Sequence, residues 1–167
     1  VVVSLRAALA VARAVEGCLP GVRLGLKWPN DLMLGTRKVG GILCEARWQG
    51  GDLGWIAIGV GLNLSNQVSA ELADSATELC TVAPEVTAAA IAEPVARAVA
   101  TAGTRQGPLS LDELASFGER DLLQGRRLLQ PVAGLVLGIA PDGALLVREP
   151  GGRVTEVRSG SVVPDPA

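Results

Sequence analysis

The sequence predicts an α+β fold, a sheet of long strands packed with helices and followed by a small β-barrel. Three observations predict it. The chain opens on a helix-spaced apolar run, continues with alternating strand patterns between residues 22 and 64, and ends on short strands with turn signals about eight to ten residues apart. At 167 residues, 49% hydrophobic and 19% charged, it is long and apolar enough to build a core, which excludes wholesale disorder.

The elements follow in order. Val3, Ala7, Ala10, Val11, Ala14 and Val15 give helical spacing over residues 2–16, and Gly17 to Gly21 ends the run. Val22, Leu24, Leu26 and Trp28 then alternate with Arg23, Gly25 and Lys27, the pattern of a strand with one buried face. Pro29-Asn30-Asp31 breaks it. Leu32–Leu34 and Val39–Trp48 read as paired strands, which would place Lys38 at the turn and Asp31 at the far end. After a turn at Gln49–Asp52, Leu53–Leu64 is a long strand, apolar on both sides, and its Gly59 and Gly61 point to a buried position with close backbone approach. From Ser69 to about Gly118 the pattern is alanine-rich and helical. Pro94 should kink or split one helix, and Ser110-Leu111-Asp112-Glu113 forms a capping box for another. A boundary near Gly125 divides the chain into units 1–124 and 125–167, and Pro164–Ala167 is expected to fray.

Composition narrows the chemistry. The chain has no histidine, which excludes Ser-His-Asp and Cys-His nucleophiles, HExxH zinc sites and histidine acid/base catalysis. Net charge is −2 with a pI near 5.2, so no basic field draws the chain to nucleic acid. Cys18, Cys44 and Cys80 are dispersed, without a CxxC pair, and read as small buried hydrophobes in a reducing cytoplasm rather than a disulfide or zinc framework. No apolar run reaches the roughly 18 residues of a membrane span.

Of 15 basic residues only Lys27 and Lys38 are lysine, and both fall in the stretch that also holds the three tryptophans. Lys27-Trp28-Pro29-Asn30-Asp31 gathers a cation, an amide and a carboxylate at a strand end. Lys38 beside Gly40-Gly41 suits an anionic ligand, since glycine exposes backbone N–H groups and the ammonium neutralises charge. Walker A and GxGxxG patterns are absent.

Three segments carry a resemblance to a known family: Val22-Arg23-Leu24-Gly25-Leu26-Lys27-Trp28-Pro29-Asn30-Asp31-Leu32, then Arg37-Lys38-Val39-Gly40-Gly41-Ile42-Leu43, then Gly59-Val60-Gly61-Leu62-Asn63. In that order they are similar to biotin protein ligases, also called biotin–[acetyl-CoA-carboxylase] ligases. The resemblance covers residues 1–66 strongly and 126–163 moderately, through Gly138-Ile139 and Asp142–Leu146. It implies a mixed sheet with packed helices and a C-terminal SH3-like barrel. It also implies a two-step ATP-dependent reaction: biotin and ATP give biotinyl-5′-AMP, with Mg2+ as activating ion, and the adenylate then acylates a lysine of a biotin carboxyl carrier protein.

Carried over residue by residue, the resemblance makes Lys38 the cation bridging the biotin carboxylate and the α-phosphate. Asp31 is the motif aspartate that places the incoming lysine or a metal. Lys27 and Asn30 lie near the ATP phosphates and Asn63 faces adenine. Lys38, Ile42, Leu43, Gly59 and Gly61 surround biotin, the last four as its floor. Trp28, Trp48 and Trp55 pack the core. The family's Gly-Arg-Gly-Arg-x-Gly-Arg run and Ser/Thr-x-Asn segment do not occur in these 167 residues. The expectation is therefore that residues 1–167 alone do not label a carrier, and that Leu24, Leu26 and Ile42 stay partly uncovered. Alternatives are a non-catalytic remnant that binds nucleotide or carrier domain, and a lipoate ligase-like relative. A homodimer through sheet-edge pairing is a family-level expectation.

Overall fold

The structure is a computed structural model that describes residues 1–50, 52–65 and 68–166, with backbone alone for residues 48, 52 and 53. The opening helix α1 (Val2–Cys18) ends where Pro20 and Gly21, at φ 87°, turn the chain back. Strands β1 (Gly25–Lys27), β2 (Asp31–Leu34), β3 (Arg37–Gln49) and β4 (Asp52–Leu62) form one sheet in the order β1-β2-β3-β4. Every ladder in it is antiparallel. The expected mixed sheet is thus corrected: short connections can join only antiparallel neighbours, and the two parallel contacts are isolated bridges, Leu26 with Asp121 and Lys38 with Ala76.

Helix α1 lies against this sheet and against α2 (Ala88–Gly103). Leu5, Leu9, Val11 and Val15 join Leu24, Leu26, Leu32 and Ile42 in the core. Leu24, Leu26 and Ile42 are 0%, 1% and 2% exposed, so the expectation that they stay uncovered fails; α1 itself is their cover. The alternation read at residues 24–28 holds, and Trp28 is buried as expected.

Strand β4 differs from expectation. Among the described residues it pairs with β3 alone, and while Ile56, Ile58, Val60 and Leu62 face α2, residues 55, 57, 59 and 61 on its other face are exposed, so it is not buried on both sides. Trp55 lies on that outer face, half exposed, instead of in the core. The side chain of Trp48 and the turn residue Gly51 lie outside the described residues. Ser69–Thr87 is not a long helix but two short 3₁₀ turns, Ala70–Leu72 and Leu79–Thr81, because its backbone N–H groups and carbonyls pair with the strand ends at Lys38 and Asn63. Helix α2 runs unbroken through Pro94. Burial of Ile91, Val95 and Val99 along one side offsets the roughly 3 kcal/mol that an interior proline costs. The capping box of α3 (Leu111–Gly118) forms as read, Ser110 and Glu113 each accepting the other's backbone N–H.

The C-terminal strands are β5 (Arg127–Gln130), β6 (Gly134–Ile139), β7 (Leu145–Arg148), β8 (Val154–Val157) and β9 (Val163–Pro164). They form an antiparallel sheet in the order β8-β7-β6-β5-β9, and among the described residues no ladder joins β8 to β9. Among the described residues the sheet does not close into a barrel; β9 is two residues long, and Pro164 has no N–H to donate. The fraying expected from Pro164 onward is not what Pro164 and Asp165 show: Val163 and Pro164 pair with β5, and Asp165 N–H donates to the Arg127 carbonyl; Ala167 lies outside the described residues. The three thiols are unpaired, and each is half-buried rather than buried.

Candidate functional site

The site grows from the β2–β3 hairpin. Asp31 opens β2 opposite Gly41, while Lys38 lies opposite Met33, two pairs nearer the turn. The sequence reading separates Asp31 and Lys38 to opposite ends, yet the Lys38 ammonium reaches the Asp31 carboxylate at 2.5 Å. Gly41 lies beside the lysine, where a Cβ would sit in ordinary contact, 3.5 Å from Lys38 Cε and 3.6 Å from Nζ. A register shift between Leu32 and Met33 sets Lys38 opposite Met33. Both side chains retain solvent contact, 48% for Lys38 and 21% for Asp31, so the ammonium is held but not sealed.

Asn30 is fixed on the other flank. Its Nδ2 donates to the Ile42 carbonyl at 2.9 Å, and Ile42 N–H donates back to the Asn30 carbonyl at 2.9 Å. That reciprocal pair nails the 28–31 loop to β3. Behind it, Ser4 Oγ donates to the Pro29 carbonyl and Trp28 Nε1 donates to the Gly143 carbonyl.

Glycines make the floor. Gly41 faces Gly61 and Leu43 faces Gly59 across the β3–β4 ladder. A Cβ at Gly59 or Gly61 would meet nothing closer than 3.7 Å, so their absent side chains leave a bare backbone platform. Gly40 is required for packing instead: a Cβ there would fall 2.4 Å from the Gly61 carbonyl oxygen.

Asn63 completes the cleft. Its backbone N–H donates to Val39, its Nδ2 donates to the Thr77 carbonyl at 3.2 Å, and its own carbonyl accepts from Leu79 N–H. The same strap holds Lys38, whose N–H donates to Ser75 and whose carbonyl accepts from Thr77 N–H. Ser75–Leu79 therefore fixes the lysine and the asparagine together. Composition did not single this strap out; its only sequence signal is a small, polar run following Gly61–Asn63.

Lys38, Gly41, Leu43, Gly59, Gly61 and Asn63 thus border one cleft of about 530 Å³, within the range of small-ligand pockets, and Asn30 and Ile42 border it too. The Ile42 side chain belongs to the core, whereas Leu43 is 62% exposed. Lys27, at the end of β1 opposite Asp31, does not line the cleft. A larger groove of about 720 Å³ between β4 and α2 is walled wholly by apolar residues and glycine, so it offers no group for chemistry. Among the described residues no three His, Cys, Asp or Glu side chains gather as metal ligands, and no carboxylate lines the cleft. The donor set does not fit a resident metal.

The α+β frame carries a hairpin lysine and a post-strand asparagine at the border of a glycine floor, and residues 1–63 match the biotin/lipoate A/B protein ligase family. A biotin–[acetyl-CoA-carboxylase] ligase of Paracoccus denitrificans is 34% identical over 162 residues, covering 90% of this chain and 68% of that one. The protein of the same name from Mycobacterium tuberculosis is 30% identical over 176 residues, 96% of this chain and 61% of its own length. The chain belongs to the biotin protein ligase family. Its fold is also that of the apo biotin protein ligase from Aquifex aeolicus, with a TM-score of 0.77 at 22% identity over 95% of this chain and 73% of that one.

Proposed function

We propose that this chain carries the adenylate-forming centre of a biotin–[acetyl-CoA-carboxylase] ligase. The observation that carries the reading is that Lys38 and Asn63, held together by the Ser75–Leu79 strap, border one glycine-floored cleft. It is supported by relatives named for biotin ligation and by a similarly folded biotin protein ligase from Aquifex aeolicus in complex with biotin and ATP.

In this reading a biotin carboxylate oxygen attacks the α-phosphorus of ATP, and the bond to pyrophosphate breaks. Negative charge gathers on both reacting groups, where the Lys38 ammonium, turning from Asp31, stabilises them together. Asp31 holds the ammonium beforehand and afterwards receives the amine of a carrier lysine. That amine attacks the acyl carbon, and AMP departs. Asn63 pairs with the adenine edge, with Thr77 fixing its amide. Gly59, Gly61, Leu43 and the backbone of Ile42 bound the biotin end. Asn30 acts by holding the loop rather than by touching phosphate, and Lys27 acts outside the cleft on the polyphosphate. Mg2+ enters with the ATP phosphates.

The same proposal keeps residues 1–124 and 125–167 as two units, the second a partly open relative of the SH3-like barrel. It places the protein in the cytoplasm, with a biotin carboxyl carrier protein as partner and a homodimer through the exposed edge of β4. The test is calorimetric titration of biotinyl-5′-AMP into residues 1–167 and into Lys38→Ala. Binding that weakens about 100-fold or more in the variant supports the reading; equal affinity, or none in either protein, contradicts it.

A further inference from the structure

The Trp28 side chain is 1% exposed and does more than fill space. Its Nε1 donates at 2.9 Å to the carbonyl of Gly143, in the turn between β6 and β7 of the C-terminal sheet, 115 residues away. That turn is itself built to present the carbonyl. Gly143 sits at φ 85°, and a Cβ there would meet Val1 Cγ1 at 3.1 Å, Val2 N at 3.2 Å and Leu5 Cδ1 at 3.3 Å. Gly143 N–H donates to Ala140, Ala144 N–H donates to Asp142 Oδ1, and Leu109 N–H donates to the Pro141 carbonyl. Asp142 in turn is gripped by Arg158 at 2.6 Å, beyond β8.

Two and three residues along the chain from Trp28 come Asn30, locked to Ile42, and Asp31, in contact with the Lys38 ammonium. A continuous line therefore runs from Arg158 through Asp142, the turn, Gly143 and Trp28 to the edge of the cleft. We propose that Trp28 is a positioning residue through which the C-terminal sheet sets the Asn30–Asp31 end of the site. As a ligand-binding statement this rests on the proposed function; as a structural coupling it does not. The indole N–H has one buried acceptor, so it fixes the ring's depth and with it the loop that the next three residues form. A loop carrying site groups gains most from such fixing, because displacements near 1 Å can cost about 100-fold in rate.

The test uses amide hydrogen exchange and ATP titration on residues 1–167, comparing Trp28→Phe and Asp142→Ala with the unaltered protein. Phenylalanine keeps an aromatic ring in place but removes the donor. Asp142 is at the surface, far along the line, and does not border the cleft. The expected result is faster exchange at the Ile42 amide, which reports the Asn30 lock: about tenfold in Trp28→Phe and severalfold in Asp142→Ala. Amides of α2 should keep their rates, and ATP affinity should fall in the same order. Unchanged exchange at Ile42 in both variants, or a uniform rise across the protein, would overturn the coupling. Absence of ATP binding by the unaltered protein would contradict the nucleotide reading instead, and the exchange pattern would still decide the coupling.

Discussion

At the scale of single residues, two side chains carry opposite lessons about charge. Lys38 is only half shielded and has one carboxylate for company, so its attraction to Asp31 is weakened by solvent and can yield to an anionic ligand. Lys38→Arg is expected to rescue little of the adenylate affinity lost in Lys38→Ala, because a planar fork does not reproduce a compact point charge; calorimetry of the two variants side by side checks this. Asp121 is the reverse case. Burial pushes its carboxyl up to about 6, one oxygen accepts the Leu123 N–H, and the other is buried without a partner. A carboxyl raised from 3.8 in the unfolded chain weakens the fold as pH rises through 4 to 6. Asp121→Asn is therefore expected to stabilise the protein by about 1–3 kcal/mol at pH 7.5, with the gain vanishing below pH of about 4. Urea unfolding at the two pH values measures it; a gain that persists in acid contradicts the assignment.

At the scale of elements, the β3–β4 ladder is where packing and chemistry divide between adjacent glycines. Gly40→Ala must push against the Gly61 carbonyl and should cost about 1–3 kcal/mol, seen as a lower urea midpoint. Gly41→Ala meets nothing nearer than 3.4 Å, so stability should stay within about 0.5 kcal/mol while the adenylate binds less tightly, its Cβ lying beside the Lys38 ammonium. Element type along residues 2–64 was legible because period and turn chemistry agree there: α1, the alternation at Leu24, Leu26 and Trp28, and the glycine-rich ladder all follow from local pattern. What local pattern lacks is partners. Nothing in Leu53–Leu64 says which face of β4 meets α2, and Trp55 lies on the other face, half exposed. The meeting of Lys38 with Asp31 depends on the register shift that sets Lys38 opposite Met33, and the strap at Ser75–Leu79 depends on long-range backbone pairing. The candidate residues could be named from motif spacing, but the bonds that orient them are tertiary.

At the scale of the whole molecule, long-range polar ties join α1, the strands and the C-terminal segments. Arg6, 5% exposed, donates to Glu113 and to the carbonyls of Arg105, Gly107 and Pro108, so one guanidinium gathers the chain between α2 and α3 onto α1. The hydrogen bond from Arg6 holds the Glu113 carboxyl down at about 2 from an ordinary 4.5. A lowered carboxyl contributes stability above pH of about 4.5 that is lost as pH falls toward 2. Glu113→Gln is expected to cost about 3–5 kcal/mol at pH 7, and the gap to the unaltered protein should narrow steadily on acidification below about 4.5. Denaturant midpoints across pH 7 to 3 check the narrowing. The frame so fixed serves a cleft whose two ends are assigned to different ligands, and that division is the centre of the account. The most direct measurement is titration of ATP and, separately, biotin into residues 1–167 and Asn63→Asp. The account predicts that ATP weakens by about 5- to 150-fold, the equivalent of roughly 1–3 kcal/mol, while biotin changes less than about twofold. Equal weakening of both ligands, or of biotin alone, would contradict it.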